Sequence, residues 1–163
     1  MANDQAGADG ITRIVEVGAK SETEREAVAE AWLVSTSETV ANLVAGTKKG
    51  DPIEAAKIAG IMGVKRTPDL LPFCHPLRIT GVELVVEPQE TAGRIRVEST
   101  VRATDRTGVE MEALTAATVA ALSLYDTAKA FDAAARIEGV RLLRKSGGRS
   151  GEYRAGESPR ADR

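Results

Sequence analysis

Apolar and polar residues change rhythm several times along the chain. Val28, Glu30, Trp32 and Val34 interleave with Ala29, Ala31 and Leu33, which predicts a strand. Ser37 then reads as the cap of a helix through Val40, Leu43 and Val44 that stops at Gly46. Asp51 caps a second helix with Pro52 at its first position and Ala55, Ile58, Ala59 and Met62 along one face. Beyond the prolines at 72 and 76, Ile79–Glu87 predicts a strand ended by Pro88. The turn Gln89–Gly93 leads to the clearest alternation in the chain: Ile95, Val97 and Val101 against Arg94, Arg96, Glu98 and Arg102. Met111–Ala135 is Ala-rich with a stripe of Leu114, Ala117, Ala121, Leu122, Tyr125 and Ala128, and predicts a long helix. Gly139–Lys145 predicts a last strand.

The resulting order, β-α-(α)-β-β-α-β, is the split βαβ of a ferredoxin-like α+β fold with an antiparallel sheet and one inserted helix. Helices cover one face of such a sheet, and the other face is either wet or closed by a partner. Leu33, Val85 and Leu143 occupy its less polar alternates, so a homo-oligomer is expected. One domain over residues 13–146 is expected, with a flexible N-terminus at 1–12 and a flexible Gly/Arg-rich tail at 147–163.

Composition narrows the function. The 163 residues carry 22 Lys plus Arg against 24 Asp plus Glu, a net charge of −2, so an anionic ligand has to be met by a local cluster of cations. Aromatics at 3% are too few for a base-stacking surface. The single Cys74 rules out an intrachain disulfide and fits a reducing compartment. Met1–Gly10 has no leader pattern and no apolar run is long enough to span a bilayer, so a cytoplasmic location is expected.

Five islands break the periodic pattern: Lys48-Lys49-Gly50-Asp51, Leu71 to Leu77 around Phe73-Cys74-His75, Thr107 to Leu114, Tyr125 to Lys129, and Leu142 to Gly151. His75 sits before Pro76, which disfavours helical backbone and presents the imidazole from an extended segment. It suits a phosphate contact or proton transfer, and equally an ordinary loop histidine. Cys74 reads as a buried thiol. Glu110 and Glu112 face the same way in an extended lead-in, or sit as capping carboxylates at a helix start. Asp126 and Lys129 share one helix face, as in any surface ion pair. Lys49, Lys145 and Arg149 lie beside glycines, where a phosphate could approach, although solvated surface cations would look the same. Lys65-Arg66-Thr67, after the second helix, is a weaker anion-site candidate.

Together and in this order, the islands resemble the cyclic pyranopterin monophosphate synthase family of molybdenum-cofactor biosynthesis, from about Ile14 to Tyr153. One departure is Glu16 in Ile14-Val15-Glu16-Val17, where that family usually carries Asp. The resemblance implies a lyase that converts 3′,8-cyclo-7,8-dihydroguanosine triphosphate into a pterin with a cyclic phosphate, releasing diphosphate. It implies catalytic roles for Asp126, Lys49, Lys129, Lys145 and Glu110, and substrate contacts from Phe73, Cys74, His75, Met111 and Glu112. It further implies a hexamer built as a trimer of dimers, no metal site and no cofactor, with Mg²⁺ at most accompanying the triphosphate. Glu112 and Asp126 would lie about 21 Å apart on one straight helix, so a pocket using both must draw on two subunits. A nucleotide-binding module without catalysis, and an RNA-binding sheet face, are the competing readings.

Overall fold

A computed structural model describes residues 12–148 and 151–156. The expectations for residues 1–11, for Arg149 and Ser150, and for the tail at 157–163 fall outside them. The elements run β1 (Thr23–Val34), α1 (Ser37–Ala45), α2 (Pro52–Leu70), β2 (Ile79–Gln89), β3 (Arg94–Asp105), α3 (Glu110–Ala128), β4 (Arg136–Ser146) and β5 (Tyr153–Arg154). The antiparallel sheet has the order β2-β3-β1-β4-β5, and its first four positions are the ferredoxin-like arrangement expected from the sequence. The two-residue β5, which the sequence pattern did not indicate, pairs Tyr153 with Lys145 and Arg154 with Arg144.

Parity along the strands separates the two faces of the sheet. Ala27, Ala29, Ala31 and Leu33 of β1, with Ile95, Val97 and Val101 of β3, are buried under the helices. Small alanines in β1 let α3 approach, and α3 answers with Ala113, Ala116, Ala117, Ala120, Ala121 and Leu124. Ser99 is the polar intruder on this face, and its hydroxyl donates to Ala113 O at 2.7 Å. Leu33 is therefore core beneath the helices, not part of the open face. Val85, by contrast, does lie exposed there.

The open face is laced with ion pairs. Arg96 reaches Glu30, Glu98 and Glu87 at 2.7, 2.6 and 3.2 Å. Arg102 and Arg144 hold Glu26 at 2.7 and 2.6 Å, and Arg141 meets Glu30 at 2.8 Å. Burial opposes the charge of Glu30, yet hydrogen bonds from Arg96 and Arg141 outweigh it and hold the carboxyl below its ordinary value.

Several boundaries differ from the sequence pattern, each for a local reason. Thr36, not Ser37, caps α1: its hydroxyl accepts from Thr39 N at 3.1 Å. Asp51 does cap α2, accepting from Ile53 N and Glu54 N at 2.8 and 3.2 Å. That helix runs on through Lys65-Arg66-Thr67, and its core face is Ala56, Gly60, Gly63, Val64 and Thr67. Ile58 and Met62 point outward instead. Edge strand β2 passes through Pro88 to Gln89, because a proline without an N–H is tolerated at a sheet edge. Helix α3 ends at Ala128 rather than Ala135. The Asp132 carboxylate accepts from Ala134 N at 2.8 Å and Ser35 Oγ at 2.6 Å, closing a turn that competes with helix, and β4 begins at Arg136.

Candidate active site

The residues singled out from the sequence collect at the two ends of α3. Near its start, β4 lies beside β1 with Lys145 opposite Ala27, which turns Lys145 toward the helix side. Its ammonium meets Glu110 Oε1 at 2.8 Å, both side chains half-buried. Because α3 begins at Glu110, Glu110 and Glu112 diverge around the helix by about 200°, instead of sharing a face as an extended lead-in would have them. Glu110 turns to Lys145, while Glu112 is buried at 3% exposure. Burial first, and then the negative charge of Glu110, push the Glu112 carboxyl from an ordinary 4.5 up to about 7, against a backbone hydrogen bond that favours its charged form.

The Leu71–Leu77 loop runs against this end. Cys74 N donates to Leu71 O at 3.1 Å, closing a turn. Burial, and secondarily the charge of Glu112, raise the Cys74 thiol, so it stays protonated and is no thiolate nucleophile. The neighbouring His75 is half-buried, and Phe73 and Met111 present exposed side chains.

At the far end of α3, Asp126 and Lys129 pair at 2.6 Å, both exposed. The Lys129 hydrogen bond and charge hold the Asp126 carboxyl below its ordinary value, and the positive charge of Lys49 adds to this. Lys49 comes from the tight Thr47–Gly50 turn, whose Gly50 adopts φ +116, backbone that favours glycine. Lys49, Asp126 and Lys129 thus form one cluster, and Cys74, Glu110, Glu112 and Lys145 another. The fourteen residues from Glu112 to Asp126 place the two about 21 Å apart within a chain.

A cavity of about 610 Å³ opens at the first cluster, between the segment leading into β1, the β3–α3 turn and the exit of β4. Glu110 and Lys145 line it together with Lys20, Arg25 and Arg106, three cations that lie outside the five sequence islands. A signal for one of them was legible. Arg25 shares strand parity with Ala27, Ala29, Ala31 and Leu33, so it is a cation on what is otherwise the apolar face of β1. Among the described residues no group of three or more His, Cys, Asp and Glu side chains converges as a metal set.

A ferredoxin-like α+β chain with carboxylates of opposed proton affinity beside clustered cations marks a class, a chain whose candidate site has the groups for acid–base chemistry on an anionic ligand. The comparisons with known proteins are specific. The model of the MoaC family matches residues 14–148, and the chain belongs to that family. A cyclic pyranopterin monophosphate synthase of Roseiflexus castenholzii is 52% identical over 144 residues, covering 88% of this chain and 91% of the relative. The enzyme of the same name from Brucella ovis is 50% identical over 151 residues, covering 92% and 90%.

Proposed function

We propose that the chain is a cyclic pyranopterin monophosphate synthase, a lyase that takes the cyclised guanosine triphosphate to the cyclic phosphate pterin and diphosphate. The observation that carries this is the pair of acids at the two ends of α3. Burial keeps Glu112 near neutrality in its proton affinity, while Lys129 and Lys49 keep Asp126 ionised. Opening and reclosing a purine ring needs a group that gives a proton and a group that takes one, and acids driven apart in this way supply both roles. Closure of the cyclic phosphate needs attack of a sugar hydroxyl oxygen on the α-phosphorus. Diphosphate departs and the hydroxyl proton passes to a carboxylate.

Lys49, Lys129 and Lys145 neutralise phosphate oxygens, and Glu110 orients Lys145 through the 2.8 Å contact. The segment Phe73-Cys74-His75, with Met111 and Glu112, holds the base and sugar. No organic cofactor takes part, and Mg²⁺ arrives only with the triphosphate. The separation of the two clusters supports an assembly in which α3 of one subunit brings Asp126 to Glu112 and His75 of another. Ile58 and Met62, both 58% exposed on α2, and Leu122 at 54% on α3, offer the apolar surface that a trimer of dimers would bury. No helix among the described residues is long and apolar enough to cross a membrane, in keeping with a cytoplasmic enzyme. The ion pairs already engaging the open sheet face, and the shortage of aromatics, speak against RNA binding there.

Incubating the protein with the cyclised triphosphate and following the product by mass spectrometry tests this. Cyclic pyranopterin monophosphate forms with wild type, and with Asp126→Ala the rate falls at least about a hundredfold. A folded wild type that forms no pterin overturns the proposal, and tight binding without turnover would favour the binding module.

A further inference from the structure

We infer that the cavity at the start of α3 is a diphosphate site complete within one chain, held by Lys20, Arg25 and Arg106, so that free inorganic diphosphate binds there as a product inhibitor. The charges around the cavity do not cancel. Glu26 is already engaged by Arg102 and Arg144 at 2.7 and 2.6 Å, and Glu110 by Lys145 at 2.8 Å. Lys20 and Arg25 have no carboxylate partner among the described residues. Arg25 is fixed instead through Nε to Asp105 O at 3.3 Å. Arg106 donates through Nη1 to Gly18 O at 3.0 Å. Its Nε stands 3.8 Å from Glu22 Oε1, too far for a hydrogen bond, and that carboxylate also pairs with Arg78, while the Arg106 backbone N–H donates to Asp105 Oδ1 at 2.8 Å.

Arg106 Nε is moreover buried and without a hydrogen-bond partner, the one such side-chain atom among the described residues. A buried donor left unmade is costly, and an anionic oxygen in the cavity would satisfy it. Lys20, Arg25 and Arg106 all line this one cavity, and an anion among them would relieve their mutual repulsion.

The backbone is shaped to the same end. The N-cap of α3, Val109, offers no side-chain cap, although the Glu112 carboxylate takes its own backbone N–H in the first turn. Gly147 and Gly148 have φ of +94 and +73, and a Cβ on Gly148 would collide with the Arg25 guanidinium. The chain therefore passes closely over Arg25 only because it is glycine there. A space of 610 Å³ exceeds what one phosphate needs and suits a linked pair.

This inference takes its physiological ligand from the proposed activity, and the probe is inorganic diphosphate itself. Calorimetric titration of the full-length wild type should show saturable binding, and kinetics should show competitive inhibition by diphosphate. Arg25→Gln and Arg106→Gln should each weaken both roughly ten- to hundredfold, with KM for the triphosphate rising alongside and kcat changing less. Arg136→Gln, which removes a surface cation outside the cavity, should stay within about twofold of wild type. If either arginine variant melts early, Lys20→Gln, at an exposed position, provides the same reading. Absence of diphosphate binding, or equal weakening by Arg136→Gln, overturns the inference. Turnover of the triphosphate by a wild type that binds no diphosphate would sink this site and leave the proposed activity standing.

Discussion

Glu112 concentrates the cost of the site in one side chain. A carboxyl whose folded pKa is about 7, against an ordinary 4.5, holds a proton in the folded chain that the unfolded chain has released between those values. Stability attributable to this group is therefore present below about pH 4.5, declines as pH rises to about 7, and is level beyond. Glu112→Gln, which cannot ionise, should gain on wild type across that window by up to about 3 kcal/mol, and chemical denaturation at a series of pH values reads it. A difference that does not vary with pH contradicts the assignment. Asp126 is the opposite case. Its ion pair with Lys129 is exposed, so Asp126→Ala should leave the melting temperature unchanged while activity collapses. The lysines and acids of both clusters were legible through their islands in the sequence. Lys20 and Arg106 were not, because a cation in a loop reads as solvated surface until the fold shows that its carboxylate is engaged elsewhere.

Among the elements, α2 shows where pattern reading gives way to packing. Its most hydrophobic stripe, Ala55, Ile58, Ala59 and Met62, suggested the buried face. The chain instead buries a stripe of small residues, because α2 lies close against α3. A Cβ at Gly60 would stand 3.0 Å from Ala116 O and 3.1 Å from Leu84 Cδ1, and one at Gly63 would stand 3.2 Å from Val119 Cβ. Gly60→Val should thus destabilise by about 2 kcal/mol, although glycine is itself a poor helix former. A stabilised variant in thermal unfolding would refute this close packing. Hydrophobicity alone could not reveal that face, since the void between two helices selects for smallness. The strands were read more fully: period two survives on β1 and β3 because one face is apolar and the other carries paired charges. The end of α3 was missed because Ala133 to Ala135 favour helix locally, while Asp132 is drawn by a backbone amide and a distant serine.

At the scale of the whole molecule, the length of α3 is decisive. The order of elements and the ferredoxin-like sheet were legible from the sequence, and the same reading placed Glu112 and Asp126 at opposite ends of one helix. A helix is too stiff to fold its ends together, so a site that uses both belongs to an assembly. That assembly has a direct consequence for mixed proteins. Glu112→Ala and Asp126→Ala each spoil every pocket on their own. In randomly mixed subunits, about a quarter of the pockets unite an intact Glu112 from one chain with an intact Asp126 from another. The decisive measurement is the pterin-forming activity of the two inactive variants, mixed under conditions of demonstrated subunit exchange. Recovery toward about a quarter of wild-type activity is the predicted result. Activity that stays at the level of the separate variants would contradict a site shared between subunits.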